Sequence, residues 1–115
     1  MHEGSGIEVD RVQRGDAVIV VARGDIDMSG SPVLREHLRL ALGGKSKRLV
    51  VDLDGVDYMD SSGVATLVEA LKNAKAKGAR LLICNMRERV RAIFEIARLD
   101  KFFTITGTLD EALTA

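Results

Sequence analysis

The sequence predicts a small α/β layer structure in one domain, with four to five strands in a mixed sheet and about four helices packed on it. Three observations carry that expectation. The apolar residues switch repeatedly between a two-residue and a helical period. Two strand-like segments come first and helix-like and strand-like segments alternate afterwards, an order that gives parallel neighbours in the second half. The 115 residues, 46% hydrophobic and 30% charged, suit one core and leave no room for a second full domain.

The elements follow in order. Ile7, Val9 and Val12 alternate roughly by two and reach the turn signal Arg14-Gly15-Asp16. The β-branched run Ala17 to Val21 comes next, so the opening reads as two antiparallel strands. After Gly24-Asp25-Ile26-Asp27 comes Ser29-Gly30-Ser31-Pro32. Ser31 is the expected cap of a helix there, and Pro32 suits its first position because that N–H needs no partner. Val33, Leu34, Leu38, Ala41 and Leu42 give that helix its apolar stripe, and Gly43-Gly44 is expected to end it. Leu49 to Leu53 is too short for a helix and too uniformly apolar for an exposed strand, and so reads as a central strand.

Helical spacing resumes at Val64, Leu67, Val68, Leu71 and Ala74, entered through Asp60-Ser61-Ser62-Gly63 and left through Lys72, Lys75, Lys77 and Gly78. Arg80 to Cys84 reads as another strand. Val90, Ile93, Phe94 and Ala97 recur at helical spacing, Phe102 to Thr106 suits a short strand, and Thr108 to Ala115 suits a terminal helix.

Composition narrows the function. Seventeen basic residues balance seventeen acidic ones, so the field of a nucleic-acid or polybasic membrane binder is missing, and 3% aromatics with no Trp argue against a base-stacking surface. The single cysteine, Cys84, has no internal disulfide partner, and two histidines beside it do not make an ordinary zinc site. The start MHEGSGIEVD lacks a signal-peptide pattern and no apolar run approaches a membrane span. A cytoplasmic protein without membrane insertion, direct nucleic-acid contact, metal or cofactor is expected.

Several motifs invite a chemical reading. Gly43-Gly44-Lys45-Ser46 looks like the end of a phosphate-binding loop. Arg39 stands where that loop needs its first glycine, and a helix leads into a strand rather than the reverse. Nucleophilic catalysis needs a positioned base, yet His2 sits near the terminus and His37 inside the first helix, neither with a local reason to approach Ser61, Ser62 or Cys84. Cys84, at the end of an apolar strand, reads as a buried thiol. Asp52, Asp54, Asp57 and Asp60, with Asp25 and Asp27, are spaced like strand-end carboxylates of a magnesium-binding receiver. Such a receiver opens with strand and helix rather than two strands, and spacing alone does not make ligands converge, so roles at loops and helix starts are preferred. At Asp60-Ser61-Ser62-Gly63 a serine suits a helix cap, with Asp60 favoured at the positive helix end. A serine at such a place is also an accessible phosphorylation site, and local physics does not choose between Ser61 and Ser62.

The run Asp52-Leu53 through Tyr58-Met59-Asp60-Ser61-Ser62-Gly63-Val64, with Leu81-Leu82-Ile83-Cys84, Val90, Ile93-Phe94 and Leu99, resembles a STAS domain of the bacterial anti-sigma-factor antagonist type. Gly24-Asp25-Ile26-Asp27 matches that family's early acidic motif. The resemblance spans about Ile7 to Leu113 and treats residues 1–115 as a single STAS domain with its core at about 7–113. It implies a small mixed sheet with helices and a switch protein rather than an enzyme. By the resemblance Ser61 is phosphorylated by an anti-sigma factor that is also a serine kinase. The unphosphorylated form binds that kinase and frees a sigma factor, and a serine phosphatase resets the phosphorylated form. Asp27, Asp60, Ser62 and Gly63 match positions around the phosphorylated serine. The family also includes stressosome subunits and small components of lipid-transport machines, so the alternative the resemblance leaves is a non-phosphorylated STAS binding module of a stressosome or lipid-transport complex.

Overall fold

In the computed structural model, which describes residues 6–115, the opening apolar segments form β1 (Glu8–Arg14) and β2 (Ala17–Arg23), paired antiparallel. His2 and the first residues of the start segment lie outside the described residues. Gly15, at φ +61°, takes the first place of the two-residue turn between them, where primed hairpin turns need a left-handed backbone. Then follow α1 (Ser31–Leu42), β3 (Arg48–Gly55), α2 (Ser61–Ala76), β4 (Arg80–Cys84), α3 (Glu88–Ile96), β5 (Thr104–Thr106) and α4 (Leu109–Thr114). The strands lie in the order β1-β2-β3-β4-β5, every pair after the first being parallel. Parallel pairing follows the opening hairpin because each later connection contains a helix, α1 serving as the crossover from β2 to β3.

The continuous apolar runs of β2, β3 and β4 are explained by burial on both faces. On one face Val18, Val20, Ala22, Leu49, Val51, Leu53, Leu81 and Ile83 meet α1, α2 and α3 through Leu34, Leu38, Leu67, Leu71, Val90 and Phe94. On the other, Ile19, Val50, Leu82 and Cys84 pack under Ala112 of α4. Burying side chains of this size is worth about 1.5 to 3 kcal/mol each. No helix among the described residues is long and apolar enough to cross a membrane.

The helix ends refine the sequence reading. Ser31 is not the cap of α1. It is the first helical residue, Gly30 holds the cap without a side-chain bond, and the main-chain carbonyl of Asp27 accepts from Gly30 and Ser31 at 3.0 and 2.8 Å. Gly43 ends α1 in a right-handed conformation, its N–H bonded back to Arg39 at 3.0 Å, rather than as a left-handed stop. Gly43 to Ser46 connect helix to strand, as the failed phosphate-loop match implied. β5 is shorter than the run Phe102 to Thr106. Phe103 turns into the core, edge-on to Phe94 at 5.5 Å, and Phe102 lies under the Lys75 ammonium, so neither joins the ladder. α4 starts with a full capping box between Thr108 and Glu111.

Candidate functional site

The parallel strands end where two loops meet. β2 slips its register against β3 between Val21 and Arg23, and the chain then crosses the end of β3 with Gly24 N–H bonded to Gly55 C=O at 3.0 Å. Beyond that slip Ile26 donates to Tyr58 C=O at 3.0 Å and accepts from Asp60 N–H at 3.1 Å, forming a parallel bridge between Ile26 and Met59 outside the main strands. Ile26 and Met59 are completely buried, which anchors this bridge in the core. It brings the segment holding Asp27 to the segment holding Asp60, two acidic motifs more than thirty residues apart in sequence.

Asp60 caps α2. Its Oδ1 accepts the N–H of Ser62 at 2.9 Å and of Gly63 at 3.4 Å, and the Ser62 hydroxyl at 2.6 Å. The expectation of a serine cap is thus corrected. A carboxylate at the positive helix end forms charge-assisted bonds to two amides that a hydroxyl would hold more weakly. Ser61 is the first residue of α2 and is exposed, whereas Ser62 is half-buried with its hydroxyl turned to Asp60. Gly63 is buried because α2 starts directly on the bridge. A Cβ there would lie 2.6 Å from Met59 Cγ and 2.7 Å from Ile26 Cγ2.

Asp27 organises the opposite loop. Its Oδ1 accepts the Ser29 hydroxyl at 2.8 Å and the N–H groups of Ser29 and Gly30 at 3.0 Å each. The Ser29 hydroxyl first, and then the Gly30 N–H, hold this carboxyl below its ordinary value. The resemblance groups Asp27, Asp60, Ser62 and Gly63 around Ser61, and in the structure the two segments that carry these residues meet at the bridge between Ile26 and Met59.

The carboxylates of Asp52 and Asp57 are engaged separately. Asp52 accepts from Asp54 N–H at 3.0 Å and from Asn85 at 3.2 Å. Asp57 pairs with Arg87 at 3.0 Å, and Arg87 also donates to the Asp54 carbonyl, tying the start of α3 to the loop that leads to Ser61. Among the described residues no three His, Cys, Asp or Glu side chains form a group able to hold a metal ion. His37 accepts from Arg11 at 2.8 Å through Nδ1. Burial, and then the Arg11 charge, lower its pKa, keeping the ring neutral. Burial, with Asp52 and Asp54 nearby, pushes the Cys84 thiol up to about 12, so it stays protonated at neutral pH. Between α1 and α2 the cavity bordered by Arg35, Leu38, Thr66 and Ala70 holds about 70 Å³, and a shallower one at the far end of the two helices, bordered by Leu42, Gly43, Ala76 and Lys77, holds about 370 Å³.

Sequence reasoning passed over Met28, 78% exposed in the Asp27 loop, and did not mark Tyr58, 42% exposed beside the bridge, as a surface residue. The signal for Met28 was present: it is a large apolar residue flanked by Asp27 and Ser29, outside any helical stripe.

The STAS domain family model matches residues 8–112, nearly all of the described chain and every element above except the last residues of α4. The chain belongs to the STAS domain family. This STAS domain is 35% identical over 101 residues to the anti-sigma-B factor antagonist of Bacillus subtilis, covering 88% of this chain and 92% of that protein. It superposes on the crystal structure of an anti-sigma factor antagonist from Mycobacterium paratuberculosis with a TM-score of 0.86 and 25% identity, over 94% of this chain and 92% of that one. The fold is also that of the Bacillus cell fate determinant SpoIIAA, whose phosphorylated form matches with a TM-score of 0.69 at 21% identity, over 94% and 96% of the two chains.

Proposed function

We propose that this STAS domain is an anti-sigma factor antagonist of the cytosol that acts as a phosphoswitch at Ser61. The observation that supports this reading best is the division of labour between the two serines. The Ser62 hydroxyl donates to the helix cap at 2.6 Å, so modifying it would cost the cap its bond, whereas the Ser61 side chain stands exposed at the helix start. An anti-sigma factor with serine kinase activity docks on the unphosphorylated surface and thereby releases its sigma factor. The kinase supplies the catalytic machinery and this chain the hydroxyl: the Ser61 oxygen bonds to the γ-phosphorus of ATP, its proton passes to a base of the kinase, and ADP leaves. A serine phosphatase returns the hydroxyl by hydrolysis.

The charge arithmetic accounts for the direction of the switch. Phosphate adds about 1.5 to 2 negative charges at pH 7. A helix N-terminus ordinarily welcomes an anion, but here Asp60 already holds the amides of Ser62 and Gly63. The added charge therefore meets a carboxylate, with Asp27 across the bridge, and it must be desolvated when a partner docks. A docking penalty of about 3 to 4 kcal/mol weakens affinity several hundredfold. Asp27, Asp60, Ser62 and Gly63 shape the docking surface, and exposed Met28 and Tyr58 give it apolar contact area.

The test is the affinity of three forms for the kinase with nucleotide present. Ser61→Ala retains binding and resists inactivation, and because Ser61 is not the cap its fold stability stays within about 0.5 kcal/mol. Ser61→Asp binds more weakly, though less so than the phosphoprotein, because it carries less charge and fewer acceptor oxygens. Mass spectrometry after incubation with kinase and ATP finds the phosphate on Ser61. Phosphate on Ser62 with Ser61 unmodified refutes the site. Equal affinities for all three forms refute the switch and leave a binding module without phosphorylation.

A further inference from the structure

β1 lies at the end of the strand order and has a sheet neighbour on one side only. It is as long as β2, seven residues, and contains no proline. The two-residue turn makes Arg14 and Ala17 a hydrogen-bonded pair. The main-chain polar groups of Glu8, Asp10, Val12 and Arg14 therefore point to β2, and those of Val9, Arg11 and Gln13 point away from the sheet. Among the described residues no other main-chain group bonds to these three. Such an edge is a template for another strand unless the sequence blocks it.

The two faces of β1 differ. On one, Val9 packs on the core, Arg11 donates to His37, and Gln13 donates to Gly15, Ala17 and Ser46. On the other, α4 lies over β3, β4 and β5, and Val12 is left 46% exposed between Asp10 and Arg14. Charged side chains usually protect an edge, and β1 carries four of them. They oppose pairing only where like meets like.

We propose that the free edge of β1 pairs antiparallel with β1 of a second copy of this chain, in the register that sets Val12 against Val12. Side-chain faces match across a two-fold axis normal to the sheet only when a residue sits on that axis. Centring on Arg11 would set Arg11 against its own copy, and centring on Asp10 would do the same with two carboxylates. Centring on Val12 sets Asp10 against Arg14 on both sides of an apolar pair and Arg11 against Gln13, and its one like-charged pair, Glu8 against Asp16, falls at the turn beyond the end of β1. Arg11 and Gln13 are also the residues whose main-chain groups point outward, so the pairs that must exchange hydrogen bonds are the ones able to do so.

The result is a ten-stranded sheet in which the two copies run in opposite directions. Their Ser61 ends therefore point apart and both stay open. A contact confined to one strand edge buries little area, so the dimer is weak and concentration-dependent.

Sedimentation velocity on the full chain from about 10 µM to about 1 mM reads the association directly. The weight-average mass is expected to climb toward twice that of the monomer. Val12→Lys brings two ammonium groups together on the axis and Arg14→Asp brings two carboxylates together. Each weakens association at least about tenfold, with circular dichroism showing that the fold persists. Combining Asp10→Arg with Arg14→Asp restores it, which a general surface disruption would not do. The register is read by cross-linking with oxidised glutathione. In Val12→Cys the paired Cα atoms, about 4.5 Å apart, fall within disulfide range, while Arg11→Cys gives no cross-link. A monomer at every concentration overturns the proposal. So does a dimer indifferent to both Val12→Lys and Arg14→Asp, or a cross-link at Arg11→Cys in place of Val12→Cys.

Discussion

Replacing Gly63 by alanine probes the seat of α2 more sharply than any other single change. In an open helix the substitution would stabilise by about 1 kcal/mol through backbone propensity. Here the new methyl would sit 2.6 Å from Met59 Cγ, 2.7 Å from Ile26 Cγ2 and 3.2 Å from the Ile26 carbonyl. Met59 and Ile26 are fully buried and joined by the bridge, so neither can swing aside without disturbing the core. Overpacking of this kind costs about 1 to 3 kcal/mol, and two contacts below 3 Å place it at the upper end. The net is a loss of about 2 kcal/mol, the difference between the overpacking cost and the propensity gain. Urea unfolding followed by circular dichroism should show the midpoint falling by about 1 to 2 M with an unchanged slope. Gly44→Ala is the matched control, since its methyl meets only the Ala41 carbonyl at 3.9 Å. A Gly63→Ala midpoint equal to or above wild type would refute the reasoning, for it would mean that α2 does not rest on the bridge.

Three further expectations can be checked. Asp60→Ala removes the acceptor of three hydrogen bonds and should cost about 0.5 to 2 kcal/mol in thermal or urea unfolding, whereas Asp60→Asn, which keeps an acceptor oxygen, should cost less. Cys84 should resist iodoacetamide in the folded protein at pH 8 and react fully in denaturant. Because its folded pKa of about 12 lies above the thiol's ordinary 9.0, its contribution to stability is complete below pH 9 and is lost as the pH rises toward 12, seen as a falling urea midpoint in alkali. Calorimetric titration with magnesium-ATP should show no saturable micromolar binding to the isolated chain, as the incomplete phosphate-loop pattern at Gly43 to Ser46 implies.

Strands buried on two faces and helices with a single apolar stripe were legible in the sequence because uniform apolarity or a helical period leaves one reading: β3, β4 and the body of α2 fell where the pattern placed them. Val12 was less legible. Alternation suggested a companion for Ile7 and Val9, but an odd step in the spacing put it on the opposite face. The motif residues Asp60 to Gly63 could be located at a helix entry. Which of them caps it depended on the backbone, extended at Asp60 and helical from Ser61 onward. The bridge from Ile26 to Met59 had no sequence signature, since a contact between two loops follows from where their strands end in the sheet.

That bridge also sets a rule for engineering. Residues 24–30 and 55–63 share main-chain bonds, a buried side-chain contact and the space that Gly63 leaves open. Moving one of the two segments into a relative would set its backbone against a foreign partner and tilt the first turn of α2. Chimaeras meant to exchange recognition between such domains should therefore transplant both segments as one cassette, the sheet beneath them serving as an interchangeable chassis.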